Sequence, residues 1–197
     1  MLQYIISGNN ASNIISTASQ AIDNGCRWLR IDISNLSNDD AATAVSTIQA
    51  KCVTCDAMLS IEDNISMATK LKTSGVHLSE CQPGSLVEAR KSLGEEPVMG
   101  VTIHSAAQVP FLPRTAIDYI ATSESQLDEL SKIVEQMRAT GLDEPVVAPY
   151  SLNTSIEDIM ATGIDGIAVH HTAISPSQLP HILESLTTIV EQRLSNI

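Results

Sequence analysis

The sequence predicts a (β/α)8 barrel with short loops, and three observations point to it. Eight short apolar runs recur along the 197 residues. Segments with helical spacing of apolar residues lie between them, and glycines stand where those segments stop. Parallel strands buried on both faces read as continuous runs of Val, Ile and Leu rather than alternating ones. With aromatics at only 3%, the core has to be built from Ile, Leu, Val, Ala and Met. A hydrophobic content of 43% supports such a core without covalent staples, in one domain spanning residues 1–197. The alternative, a doubly wound open sheet, would put a glycine-rich turn after the first strand, and Ser7-Gly8-Asn9-Asn10 holds a single glycine.

In chain order the predicted strands are Leu2 to Ile6, Trp28 to Ile33, Ala57 to Ile61, Val76 to Leu78, Val98 to Ile103, Ile117 to Ala121, Val146 to Ala148 and Ile164 to Val169. Ile14, Ala18, Ala21 and Ile22 form one helical face ending at Gly25, and Leu127, Leu130, Ile133, Val134 and Met137 another ending at Gly141. Glycines at 25, 75, 94, 141 and 163 read as left-handed caps. Ser155-x-x-Asp158 reads as a capping box, and Ser175-Pro176 as a cap with a first-turn proline. After His104, Pro110 and Pro113 leave room for a turn or so of helix. The clearest single unit is Gly75 to Ser105: a strand, a helix and a second strand, the length of one right-handed crossover.

Charge and cysteine content narrow the function. A net charge of −12 excludes nucleic acid, whose binding depends on Lys and Arg at phosphates, and it opposes phosphorylated ligands in general. No apolar run approaches the length of a membrane span, and the N-terminus lacks the basic region of a signal peptide, so a cytoplasmic protein with no membrane partner is expected. Cys52-Val-Thr-Cys55 is formally a C-x-x-C. It has no second ligand pair, and thiols at a helix end explain it better than zinc or redox chemistry.

Alternation along the strands selects the candidate site. In Trp28 to Ser34, Leu29, Ile31 and Ile33 share the face that meets the helices, so Arg30, Asp32 and Ser34 point at the barrel axis. The same phase sends His77, Thr102, His104 and His170 inward. Polar groups inside a barrel imply a wet pocket or a satisfied network, because burying them unpaired costs several kcal/mol. In this architecture the C-terminal strand ends carry function, which adds Ser79 to the set. Arg30 and Asp32 either neutralise each other or face a ligand. His104 is either an acid/base or a turn cap, and His77 packs inside. His170-His171 turns one ring in and one out, too few ligands for a metal. Glu62-Asp63 suits a hard cation, unless Asp63 caps the next helix.

These residues resemble a family. The segments S-I-E-D-N, T-S-G-V-H-L-S-E-C-Q-P, E-A-R-K-S-L-G, M-G-V-T-I-H-S and T-G-I-D-G-I-A-V resemble the thiamine phosphate synthase family, which includes the TenI-type thiazole tautomerases. The resemblance runs from the second strand to the eighth and implies the barrel. It also implies a transferase that joins an aminopyrimidine diphosphate to a thiazole phosphate, releasing diphosphate with magnesium. Position by position, Asp63 matches a magnesium ligand, Thr102 a diphosphate contact, and His104 and Ser105 the motif's His and its following hydroxyl residue.

The departures from the family pattern are numerous. The second-strand Gln-x-Arg pair falls on Arg30 and Asp32, the Asn before Asp63 is Glu62, and the second magnesium aspartate aligns with Gln82. The Thr-Pro-Thr-Lys loop after the sixth strand is missing from Ala121 to Ser125, and with it the tautomerase histidine, so His104 or His170 would have to act as acid/base. Tyr150-Ser151 replaces the Gly-Gly at the thiazole phosphate, and His170-His171 replaces Val-Ser, which makes Ser151 and His171 the positions a phosphate would meet. Two readings follow: an enzyme of this family with a degenerate active site and a small phosphorylated or heterocyclic substrate, or a non-catalytic barrel that binds a ligand or a protein partner. A homodimer is left open.

Overall fold

Side chains of a parallel barrel strand alternate between axis and helices, and the eight apolar runs obey that rule throughout. A computed structural model describes residues 1–195. Its strands are β1 (Leu2–Ile6), β2 (Trp28–Ile31), β3 (Met58–Glu62), β4 (Gly75–Leu78), β5 (Val98–Ile103), β6 (Tyr119–Thr122), β7 (Val146–Pro149) and β8 (Gly166–His170). They pair in sequence order, all parallel, and β8 closes on β1, giving the predicted (β/α)8 barrel. Strand ends differ from the sequence reading by one or two residues, with β2 stopping before Asp32 and β6 starting at Tyr119 rather than Ile117.

The helices are α1 (Ala11–Asp23), α2 (Asn38–Thr54), α3 (Ile65–Leu71), α4 (Pro83–Leu93), α5 (Leu127–Thr140), α6 (Ile156–Ala161) and α7 (Leu179–Leu194). No helix among the described residues is long and apolar enough to cross a membrane. The prolines after β5 confine that connection to a 3-10 turn, Ala106–Phe111, as expected. Ser155 caps α6 through the Asp158 amide. Ser175-Pro176 opens a second 3-10 turn before α7, with the Ser175 amide donating to Gln178 Oε1.

One expected cap is corrected. Gly75 is the first residue of β4, and the left-handed cap of α3 is Lys72, at φ 52°. Gly75 is required for a different reason, since a Cβ there would stand 2.2 Å from the carbonyl oxygen of Val98 on the neighbouring strand. The cysteines are free thiols, Cys26 just before β2 and Cys52 in the last turn of α2. Burial raises both thiols to about 11.

Two cores result from the alternation. Leu29, Ile31, Leu59, Ile61, Val76, Val101 and Ile103 face the helices in a large aliphatic layer. Inside the barrel, Trp28, Tyr119, Ala121, Val147 and Ala168 pack together against Ile5, Met58 and Val98. Trp28 and Tyr119 meet edge to face at 4.7 Å. Gly100 makes room for this packing, because a Cβ at that position would lie 1.9 Å from Tyr119 Cζ.

Candidate functional site

The polar residues that the alternation sends inward form a continuous hydrogen-bonded chain. Arg30 Nη2 donates to Glu62 Oε1 at 2.7 Å, and Arg30 Nη1 to Gln3 Oε1 at 3.3 Å. Gln3 Nε2 donates to the Tyr119 hydroxyl at 3.0 Å. That hydroxyl lies 2.7 Å from His77 Nδ1, and His77 Nε2 lies 2.7 Å from Thr102 Oγ1. The path thus crosses the barrel from β3 to β5. Burial, with the Arg30 charge second, holds the His77 imidazole neutral, well below the usual histidine range. Burial also raises the Tyr119 phenol. Of the two options for an inward polar set, the residues form a hydrogen-bonded network in the interior, in which Arg30 Nε has no partner among the described residues.

His170 ends β8 beside Ser7, the residue after β1, with Nε2 3.0 Å from Ser7 Oγ. Its Nδ1 lies 2.7 Å from Thr172 Oγ1 and accepts from the Thr172 amide at 3.3 Å. Burial lowers its basicity, aided by His171 and Arg30 and opposed by Asp32. The His171 ring lies against that of His170 at 4.7 Å. The C-terminal mouth therefore gathers Arg30, Thr102, His170 and His171 from the expected set, together with Ser7 and Glu62.

Other expected residues stand elsewhere or are otherwise engaged. Arg30 pairs with Glu62 rather than with Asp32, whose Oδ1 accepts from the Ser34 amide. His104 lies beyond the end of β5, exposed, with Nδ1 2.8 Å from Ser123 Oγ; the strand stops one residue too soon for it to point inward. Ser151 is exposed in the turn after β7. Asp63 does not cap α3, a role Asn64 takes through the Met67 amide. Asp63 instead sits at φ 49° and accepts from the Ser79 amide and hydroxyl at 2.8 and 2.5 Å.

Asp32, Glu62 and Asp63 line one cavity of about 420 Å³ with Ser79 and Met67. Even so, no three His, Cys, Asp or Glu side chains among the described residues stand close enough to hold a metal. Both Asp63 oxygens accept from Ser79, and Gln82 stands where a second acid would complete a magnesium pair.

Gln3, Ser7, Tyr119 and the Arg30–Glu62 pairing were missed by the sequence reading. Gln3 and Ser7 share the inward phase of Ile5, so the alternation rule applied to β1 finds them. Tyr119 shares the inward phase of Ala121, so the same rule applied to β6 finds it.

The comparisons with known proteins agree with this architecture. The thiamine-phosphate synthase of Flavobacterium psychrophilum is 30% identical over 184 residues, 85% of this chain and 88% of its own. That of Pyrococcus abyssi is 22% identical over 200 residues, 97% and 95% of the two chains. The solved thiamine phosphate pyrophosphorylase of Pyrococcus furiosus has the same fold, with a TM-score of 0.77 at 21% identity over 93% of this chain and 96% of that one. A family model described as thiamine monophosphate synthase matches residues 3–173. The chain therefore belongs to the thiamine monophosphate synthase family of the TenI superfamily.

Proposed function

We propose that this protein is a thiamine phosphate synthase-type barrel with a degenerate active site, in which transfer of the aminopyrimidine from diphosphate has been lost and the mouth binds a small unphosphorylated heterocycle. Diphosphate departure needs cations or donors aimed at the leaving oxygens, each worth roughly 10²–10³ in rate. The observation that carries the reading is the charge of the mouth. The connections from strand to helix, residues 7–10, 32–37, 63–64, 79–82, 104–105, 123–126, 150–155 and 171–175, contain no lysine or arginine, but they contain Asp32, Asp63, Glu80 and Glu124. Arg30, the cation that reaches the mouth from a strand, is neutralised by Glu62.

Backbone amides at four of the helix starts are already taken up, while those of α4 and α5 carry no side-chain cap. The N-termini of α1, α2, α3 and α6 are already capped by Asn10, Ser37, Asn64 and Ser155. The other buried arginine, Arg90, serves the opposite end, donating to the carbonyls of Ala116, Gly94 and Pro97 and pairing with Asp118. Magnesium, expected on Asp63, is not part of this reading, since its anionic substrate has no counterpart here.

Incubation with magnesium, aminopyrimidine diphosphate and thiazole phosphate is expected to give no thiamine phosphate above background. The unphosphorylated aminopyrimidine alcohol or thiazole alcohol is expected to raise the melting temperature, as a ligand at a hundred times its Kd stabilises by about 2.7 kcal/mol. Turnover comparable to a synthase control overturns the reading.

A further inference from the structure

The direction of each hydrogen bond in the interior chain can be worked out from its fixed end. Arginine only donates, so the Arg30 contact turns Gln3 Oε1 toward Arg30 and Gln3 Nε2 toward Tyr119. The Tyr119 oxygen therefore accepts from Gln3. Its own hydrogen, buried with the ring, has His77 Nδ1 as its acceptor. The opposite arrangement, with the proton on His77 Nδ1, would leave the Tyr119 hydroxyl hydrogen without a partner in the interior, at a cost of about 1–3 kcal/mol. A neutral His77 that accepts at Nδ1 carries its proton on Nε2 and donates it to Thr102 Oγ1. Thr102, half-buried at the mouth, then has its hydroxyl hydrogen left to donate outward.

The same logic holds independently at β8. The Thr172 backbone amide can only donate, and it donates to His170 Nδ1. A neutral His170 therefore carries its proton on Nε2 and gives it to Ser7 Oγ. Ser7 is likewise half-buried and likewise has its hydroxyl hydrogen free.

We propose that Ser7 and Thr102 are the ligand-contacting residues of the barrel mouth, each left by the histidine bonded to it with its hydroxyl hydrogen free to donate, so that the mouth favours uncharged molecules that offer hydrogen-bond acceptors. This rests on the unphosphorylated-ligand reading above and adds the polarity that such a ligand must have. His77, Tyr119 and Gln3 are positioning residues that set the direction of the chain. A ring nitrogen, carbonyl or ether oxygen fits two hydroxyl donors. A phosphate does not, because it would meet the acids of the connections with no free cation.

The test begins with 15N NMR of the histidine side chains at pH 7. Substitution of His104, His170, His171 and His181 to Gln, one at a time, assigns four of the five rings and leaves His77 by elimination, with its buried ring untouched. Both His77 and His170 are expected as neutral rings with the proton on Nε2. A ring with its proton on Nδ1, or an imidazolium, at either position overturns the inference.

Calorimetric titration with the aminopyrimidine alcohol follows. Ser7→Ala and Thr102→Val are each expected to weaken binding about tenfold, the loss of one hydrogen bond, with Thr102→Ser restoring it. Wild-type affinity in both Ser7→Ala and Thr102→Val, in folded protein, overturns the inference while leaving the ligand class intact. Failure of the wild-type protein to bind either the aminopyrimidine alcohol or the thiazole alcohol removes the ligand class itself, and this inference with it.

Discussion

Arg30 and Glu62, on neighbouring strands, meet at 2.7 Å with side-chain exposures of 11% and 16%. The pair has two consequences. It holds a charged guanidinium inside a barrel, and it removes that charge from use by an anionic ligand. Glu62→Gln keeps the shape and an acceptor but leaves Arg30 without a countercharge. It is expected to lower stability by roughly 3 kcal/mol, the low end for breaking a buried pair. Urea unfolding of both proteins checks this, and an unchanged midpoint would show that Arg30 has another partner.

Tyr119 is the junction of the interior chain, bonded to Gln3 and His77. Tyr119→Phe retains the edge contact with Trp28 but strips both neighbours of their partner. A loss of about 2 kcal/mol is expected. The same substitution should let His77 populate both neutral forms in 15N spectra while His170 stays as before. A purely packing role for the ring would predict no change in either measurement.

Stability should fall as the solution is acidified through the mid-range. His77 and His170 are both held below the ordinary histidine value of 6.5 in the folded chain. Below that value the unfolded chain takes up protons that the folded chain refuses, so stability declines as pH drops from 6.5. The slope is at most about 1.4 kcal/mol per pH unit for each histidine. Above 6.5 neither state is protonated at these rings and they contribute no slope. Urea unfolding at pH 7.5, 6.0 and 5.0 measures this, and His170→Gln should remove its share. A flat profile over that interval would contradict the burial of His77.

Gly100 is needed for space. A Cβ there would stand 1.9 Å from Tyr119 Cζ and 2.5 Å from its hydroxyl oxygen. Gly100→Ala has to displace the ring at the centre of the polar chain. A loss of at least about 1–3 kcal/mol is expected from overpacking. Gly84, where a Cβ would meet nothing within 4 Å, is the control, and a similar melting temperature for both alanine variants would refute the steric account.

The barrel, its eight strands and the inward set Arg30, His77, Thr102 and His170 were legible in the sequence, because alternation and helical spacing are local and survive in one dimension. Contacts between strands were not. Nothing near Arg30 in the chain indicates that its partner is Glu62 rather than Asp32 two residues away. The sequence likewise suggested an inward His104 and, at Asp63, either a hard-cation ligand or a helix cap; in the folded chain β5 ends at Ile103 and Asp63 accepts from Ser79 while Asn64 caps the helix.

By itself, then, the sequence determined the fold, the inward phase of each strand and the acidic character of the mouth, since each depends on residue type and spacing alone. Only the tertiary structure decided which polar groups meet and in which direction their protons lie. Gln3, Arg30, Tyr119, His77 and Thr102 come from five separate strands, up to 116 residues apart within a single hydrogen bond. Their order is set by barrel closure, which brings β1, β2, β4, β5 and β6 around one axis.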